Sequence, residues 1–496
     1  MMQITRKRAG DMIGRHYRST RRKPLRPCPS ARFRSSLFSS DHVGTSAALT
    51  NKATTKTLVH RFINGRFAYL GVSAIQKALP FIILPFLTAT LGAARYGEVA
   101  VLISCFTLVS MTFGLGLETI IYRYGKGDDE DSLNRLTGVA LIQRFFPVFL
   151  GLGIAGAVYV LNIGIGGAAP LHIGMAVVSA SIYCSAWQLP AALARVKGKF
   201  QSYVVYAITY SSFLAAFKLV FVLILDLGVL GWVMADLAGS LVLLALTFPV
   251  FLPFLKRCLP PDRKAAPFRS AVRLGAPLVV NSVSLWATGS FDRILIAAFL
   301  GTAMAGRYAL AAQVVTLGSV VITELTKYIQ PHLAPAPETD SSQIIRSVAP
   351  RQVILISLVS TLTAVLGAFV APMVFGHAFA GLGLLSALMT APLVFSGLNS
   401  LGVEYLSITR GKSMAIGVVS IFAAAVSILL NLTLLPQLGV AGAIWALAAA
   451  SLLTFVVIWG PIMRSDLGLY ASARIFWPAA LALVLVISVA WIAGNR

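Results

Sequence analysis

The sequence predicts an all-α polytopic membrane protein, built as two parallel-repeat six-helix lobes (12 core transmembrane helices) plus one extra C-terminal helix. Three observations predict it. The 496-residue chain is 57% hydrophobic and only 12% charged, with a mean hydropathy of +0.82, a balance outside the range of soluble globular domains. Apolar runs of about 20 residues follow one another, each able to cross a hydrocarbon layer about 30 Å thick at about 1.5 Å per residue. The third observation is an internal repeat. Leu91-Gly92 with Gly97 returns as Leu300-Gly301 with Gly306, and Lys197-Gly198-Lys199 returns as Arg410-Gly411-Lys412. Leu227-Gly228-Val229 with Gly231 returns as Leu438-Gly439-Val440 with Gly442, and Tyr96 is echoed by Tyr308. The landmark offsets all lie within about four residues of 211, which marks one duplicated unit of about 210 residues.

Taken in order, the apolar spans of the first copy fall at roughly 67–90, 98–119, 136–160, 171–193, 203–225 and 229–254. Those of the second fall at roughly 274–299, 308–329, 350–375, 380–405, 413–435 and 441–463, with a further span at 475–494. The chain thus divides into a basic tail (1–66), an N-terminal lobe (67–256), a basic inter-lobe linker (257–273), a C-terminal lobe (274–463) and the additional helix (475–494). An even number of spans per copy leaves both copies in the same orientation, related by an axis along the membrane normal.

Basic residues crowd into alternate connections. Arg123, Lys126 and Arg135 fall on one side with Arg195, Lys197 and Lys199, then the linker cations, Lys327, Arg346, Arg351, Arg410, Lys412, Arg464 and Arg474. The opposite connections offer Arg95 and Arg307. The positive-inside rule then puts the amino terminus in the cytoplasm. Much of the formal charge of +24 comes from residues 1–66, where fifteen Lys or Arg face only Asp11 and Asp41. Such a Ser- and Arg-rich stretch reads as a disordered cytosolic tail attracted to anionic membrane lipids, not as a nucleic-acid binder. Its composition also fits an organellar transit peptide.

The four cysteines and six histidines are scattered, so no metal site is indicated, and no catalytic constellation or cofactor motif is present. Pro80, Pro85 and Pro190 predict bends within spans, because each removes a ladder hydrogen bond. Gly231, Ala235 and Gly239, and the matching Gly442, Ala446 and Ala450, recur four apart and predict close helix packing within the lobes.

Ionisable residues inside spans mark wet cavities, since a charge at the bilayer centre costs at least about 2.5 kcal/mol. Lys77 sits near the middle of the first span and forms a polar patch with Ser73 and Gln76. Arg144 and Lys218 lie about seven residues from a span end, close enough to snorkel or to face a cavity. Asn281, Ser284, Thr288 and Asp292 follow at steps of three or four, which predicts one polar face along the seventh span. Arg293, next in sequence, points about 100° away and reaches another helix or the interface. Asp236, Glu118, Glu324 and Glu404 are candidates for coupling protons or for neutralising cavity cations. The last three also suit pairing with Arg123, Lys327 and Arg410. Tyr203, Tyr206 and Tyr210 share a face at the cytoplasmic entrance of the fifth span that suits an interfacial aromatic belt or a sugar platform, the belt being the commoner use.

The segments LPFLTATLGAARYGEVAV, FDRILIAAFLGTAMAGRYALAAQ and LLPQLGVAGAIWALAAASLL resemble those of bacterial polysaccharide flippases, the O-antigen and exopolysaccharide exporters of the multidrug/oligosaccharidyl-lipid/polysaccharide (MOP) superfamily. The resemblance covers about 67–463. It implies two six-helix lobes around a cationic cavity that carries an undecaprenyl-diphosphate-linked oligosaccharide outward across the bacterial inner membrane. It also implies membrane lipids and a polysaccharide polymerase or export machinery as partners. On this reading Lys77, Arg144, Lys218 and Arg293 are the candidate headgroup contacts, with Gln76, Asn281, Ser284, Thr288 and Asp292 beside them. A multidrug or cation antiporter of the same superfamily and a membrane-embedded oligosaccharide polymerase or ligase are the alternatives. The antiporter would favour cavity carboxylates, and the enzyme a large polar outer loop. The longest outward connection, 161–170, is rich in Gly and Ala and carries no charge.

Overall fold

A computed structural model describes the protein from Arg66 to Asn495, except for residues 119–120, 123–124, 126–129, 259–267, 331–332, 334–337 and 377–378. The basic tail and most of the inter-lobe linker lie outside the described residues. Within them every regular element is helical, apart from an isolated bridge between Ile165 and Ala168.

The first copy begins with one helical stretch, Arg66–Thr112, broken at Gly92 into α1 (66–91) and α2 (93–112). It continues through α3 (Glu130–Val160), α4 (Pro170–Val196), α5 (Phe200–Lys218) and α6 (Gly228–Cys258). The second copy opens with α7 (Phe268–Gly289) and α8 (Phe291–Leu300), one span bent by 41°. It continues through α9 (Thr302–Ile329), α10 (Glu338–Val365), α11 (Leu382–Glu404), α12 (Ser413–Leu438) and α13 (Val440–Ile462), and α14 (Leu469–Gly494) follows. Wider turns extend α5 to Ile224, α11 to Thr409 and α13 to Leu467.

Eleven described helices are long and apolar enough to cross a membrane, or twelve with the bent pair. Dividing the first at Gly92 recovers the thirteen segments expected from the sequence. The protein is therefore a multi-pass membrane protein of the predicted all-helical class.

Gly92 (φ 68, ψ 175) and Gly301 (φ 87, ψ 163) are repeat partners with nearly the same backbone conformation. A side chain would strain both, so glycine ends α1 and α8 and lets α2 and α9 start at once. Five residues beyond each turn, the repeated Gly97 and Gly306 meet one another. A methyl group on Gly97 would lie 1.8 Å from the Thr302 carbonyl oxygen and 3.0 Å from the Gly306 nitrogen. One on Gly306 would lie 2.0 Å from the Ala93 carbonyl oxygen and 2.9 Å from the Gly97 nitrogen. The contact is nearly its own mirror under the repeat, so the pseudo-twofold axis passes between these two residues. Tyr96, Val99, Ala305 and Tyr308 surround it in the largest buried cluster.

The connection between α3 and α4 seals this end. A methyl group on Gly166 would meet Ala297 at 2.9 Å, and one on Gly167 would meet Thr302 at 2.5 Å, so the uncharged loop lies in the seam between the copies. Within each copy the spaced small residues do what their pattern predicted. A methyl group on Gly231 would lie 2.6 Å from the Phe221 carbonyl oxygen, and one on Gly442 2.3 Å from that of Leu434. Each presses the start of its helix onto the helix before it.

Gly97→Ala or Gly306→Ala is expected to cost about 1–3 kcal/mol through forced separation of α2 and α9. Thermal unfolding of the purified protein in detergent should show a loss of several degrees. Gly153→Ala, a site with open space around it, should stay within roughly one degree of wild type. Equal behaviour of the three variants would refute the backbone contact.

Candidate functional site

Below the Gly97–Gly306 contact the copies part around a cavity of about 240 Å³. Its walls come from both copies: Pro80, Leu84 and Leu87 of α1, Tyr96 and Phe106 of α2, Tyr210 and Lys218 of α5, Trp232 and Asp236 of α6, and Gln313 and Thr316 of α9. Most of this lining is apolar. Its charge resides in one pair, with the Lys218 ammonium 3.0 Å from an Asp236 carboxylate oxygen. The same ammonium lies 3.8 Å from the centre of the Trp232 ring, held by the negative face of the indole.

The hairpin between α5 and α6 builds this arrangement. Lys218 precedes Leu227 by about as many residues as Asp236 follows it, so both reach the same depth, at about 1.5 Å per residue. Trp232 and Asp236 are one turn apart on a single face of α6, as are Tyr210, Leu214 and Lys218 on α5. Side-chain exposures of 12% and 15% show that the ammonium does not run out to the surface. Snorkelling, the sequence alternative for Lys218, loses to direct ion pairing. The sequence placed Lys218 and Asp236 in separate roles, and the fold brings them together.

A second, smaller cavity of about 180 Å³ lies within the second copy, mostly apolar in surface but with hydroxyl and amide side chains and no charged residue in its lining. Ser284 and Thr288 of α7, Ser396 and Asn399 of α11, Ser420 of α12, and Ser451 and Thr454 of α13 line it. By the offset that relates Leu227 to Leu438, the partner of Asp236 is Leu447, which lines this pocket.

The polar stripe of the seventh span is not continuous. The helix breaks at Ser290, and the bend carries Asp292 away from Ser284 and Thr288. Asp292 instead sits in the first turn of α8, where its carboxylate accepts the Arg293 backbone N–H at 2.8 Å and the Tyr308 hydroxyl. It is buried and binds α8 to α9. Arg293 is half-buried beside it, close enough to act electrostatically on Asp292, Tyr308 and Tyr96, and does not line the cavity. Asn281 is half-buried.

Arg144 also departs from the cavity. Its guanidinium donates to the Leu244 carbonyl at 2.9 Å and to the Thr247 hydroxyl at 3.4 Å, and lies over the Phe251 ring. It ties α3 to α6, because a helix face hidden from lipid can be turned toward a neighbouring helix as well as toward a lumen. Gln76 is half-buried, and the Lys77 side chain lies outside the described residues.

Among the carboxylates, Glu324 pairs with Lys327 at 2.9 Å as foreseen. Glu404 accepts from the Gln330 amide at 3.0 Å instead of pairing with Arg410, whose guanidinium is held by Asp466. Glu118 lies within electrostatic reach of Arg195. Tyr203 and Tyr210 do not form a lipid-facing belt. Both are buried, with Tyr210 5.1 Å from Tyr183 and Tyr203 5.7 Å from Trp187, ring centre to centre. No group of three metal-ligating side chains occurs among the described residues. Sequence reasoning missed Trp232, Gln313 and Thr316. Trp232 had a signal, its helical spacing to Asp236.

The fold is a duplicated bundle of membrane-spanning helices whose two copies meet at a shared glycine contact. Residues 62–335 match the family model described as "Polysaccharide biosynthesis protein", more than half of the chain, and the protein belongs to that family. No curated protein matches. Among solved structures, the lipid II flippase MurJ in an inward closed conformation is 13% identical with a TM-score of 0.62, covering 86% of this chain and 97% of its own. An inward-facing multidrug resistance MATE family transporter of the MOP superfamily is 13% identical with a TM-score of 0.60, covering 82% and 95%. A MOP superfamily transporter from Pyrococcus furiosus is 15% identical with a TM-score of 0.54, covering 82% and 95%. At such identities the likeness is one of fold.

Breaking one side of the pair should cost more than removing it. Lys218→Met is expected to destabilise by about 3 kcal/mol, since it strands the Asp236 carboxylate. Lys218→Met with Asp236→Leu should recover most of that loss in the same thermal measurement. A double variant as unstable as the sum of the singles would show that the two side chains do not interact.

Proposed function

We propose that this protein is a flippase that carries an undecaprenyl-diphosphate-linked oligosaccharide across the bacterial inner membrane for cell-surface polysaccharide synthesis. The observation that carries the reading is the cavity between the two copies, with its single ammonium held in reserve by Asp236 and Trp232. A diphosphate leaving water needs a cation, while its lipid tail stays in the bilayer. Lys218 meets that need once Asp236 is protonated or the anion displaces the carboxylate. Gln313 supplies an uncharged donor from the second copy, and the pocket of the second copy with its hydroxyl side chains suits the hydroxyls of a glycan. Lys77 of the first span, whose side chain lies outside the described residues, is the further cation the sequence proposes for the headgroup.

The cavity is closed at the Gly97–Gly306 end. On this reading the amino terminus is cytoplasmic, that end faces outward, and substrate enters from the inner side. Alternating access then requires α2 and α9 to separate at the glycine contact while the other ends close. No bond in the cargo is made or broken. The cargo would pass to polymerase or export machinery on the far side.

The test is a deletion strain complemented with wild type, Lys218→Ala, Asp236→Asn or Lys77→Ala at matched membrane levels. Export of surface polysaccharide should fall at least tenfold for Lys218→Ala, with lipid-linked oligosaccharide accumulating on the cytoplasmic face. Wild-type export from both lysine variants would remove the site assignment. Lost resistance to cationic drugs, with surface polysaccharide intact, would make the protein a multidrug exporter instead.

A further inference from the structure

The basic-Gly-basic repeat plays no part in the central cavity, yet each copy builds a pocket on it. Lys197 and Lys199 edge a pocket of about 550 Å³ in the first copy, and Arg410 and Lys412 edge one of about 800 Å³ in the second. The two pockets are lined at matching positions. Leu193 and Leu406 sit one helical turn before the basic pair, while Pro249 with Pro253, and Gly460 with Arg464, come from the last turns of α6 and α13. Gly198 and Gly411 share the same φ of 65°, so the turn presents its two cations alike in both copies.

Around the central cavity the copies have diverged, even to the loss of the ion pair. A pocket kept in both copies on the same basic turn, with corresponding walls at Leu193 and Leu406, Pro249 and Gly460, and Pro253 and Arg464, has a use that does not depend on which cargo the centre holds. Charge is balanced between them. The first pocket carries Lys197 and Lys199, and the second carries Arg410, Lys412 and Arg464 against Asp466, so each presents a net charge of +2. Asp466 takes Arg410, which leaves exposed Lys412 and Arg464 toward the opening. None of Lys197, Lys199, Lys412 and Arg464 is in an ion pair among the described residues.

The wall opposite the cations is apolar and faces outward, with Val456 56% and Val457 40% exposed in the second copy. Cations at the end of apolar membrane helices, beside an outward apolar wall, match an amphiphile with an anionic head and a hydrocarbon tail. They match a free anion poorly, since it would leave the wall unused.

We propose that the two pockets are a repeat-related pair of binding sites for anionic phospholipid, each holding a headgroup phosphate between its basic turn and the end of α6 or α13. Each site clamps the hairpin that joins its basic turn to the helix forming the cavity wall. In the first copy this is the α5–α6 pair that carries Lys218 and Asp236. Anionic lipid therefore braces the lobes from their cationic side.

The test uses the purified full chain in neutral detergent, titrated with phosphatidylglycerol or phosphatidylcholine and read by native mass spectrometry. Wild type is expected to retain two phosphatidylglycerol molecules in preference to phosphatidylcholine. Lys197→Ala with Lys199→Ala should remove one, Lys412→Ala with Arg464→Ala the other, each site weakening about tenfold. Lys197→Arg with Lys199→Arg should keep binding, which separates loss of charge from loss of fold. Equal retention of phosphatidylcholine, or unchanged lipid number in both alanine pairs, would overturn the proposal. Displacement of the lipid by millimolar inorganic phosphate would also overturn it, by making the pockets sites for a free anion. The binding readout does not involve transport, so it stands or falls apart from the flippase reading.

Discussion

The structure depends on two glycines that touch backbone to backbone. Gly97 and Gly306 lie at equivalent places in the repeat, and each needs the other to lack a side chain. In lipid, helices gain little from hiding apolar surface, so close van der Waals approach is what fixes one helix against another. Setting α2 against α9 there places the repeat axis, and every other relation between the copies follows from that axis. Tyr96 and Tyr308 are buried beside it, the α3–α4 connection covers it, and the cavity opens where the helices diverge below it.

Much of this was legible. The repeat, the spans and the alternate crowding of basic residues follow from periodicity and composition, which are local properties. Rotation of a helix about its own axis is not local. Arg144 and Lys218 gave the same signal, a cation seven or so residues inside a span, yet one turns toward α6 packing and the other toward the cavity. Their difference lay in Asp236, which shares the depth of Lys218 across a short hairpin, a relation that counting outward from Leu227-Gly228 would have exposed. The failed stripe had a signal too. Gly289-Ser290 followed by Asp292 is a helix stop and restart, with the acid placed in the first turn of the new helix. An unbroken three-or-four period hid it.

The tyrosines of α5 show a related limit. An aromatic row near a helix end suits the membrane interface by composition, but α4 supplies Tyr183 and Trp187 at the same level, and the rings pack with one another. Burial against a partner helix overrides the interfacial preference. Only the pairing of α4 with α5 decides between them, and that pairing is tertiary.

The ion pair of the cavity cannot be explained by stability. Taking an ammonium and a carboxylate out of water costs several kcal/mol per ion in effective terms, and replacing such a pair by apolar residues of similar size is often neutral or stabilising. The chain supplies its own control. In the second copy, on the same scaffold, Leu447 stands where Asp236 stands in the first, and the matching hairpin still packs through Gly442 as the first does through Gly231. The hairpin therefore folds without the pair. What the pair adds is a charge poised in an apolar cavity, neutralised until something competes for it. The asymmetry of the duplication thus separates the two tasks of the molecule: glycines common to both copies hold the frame, and charges found in one alone face the space between them.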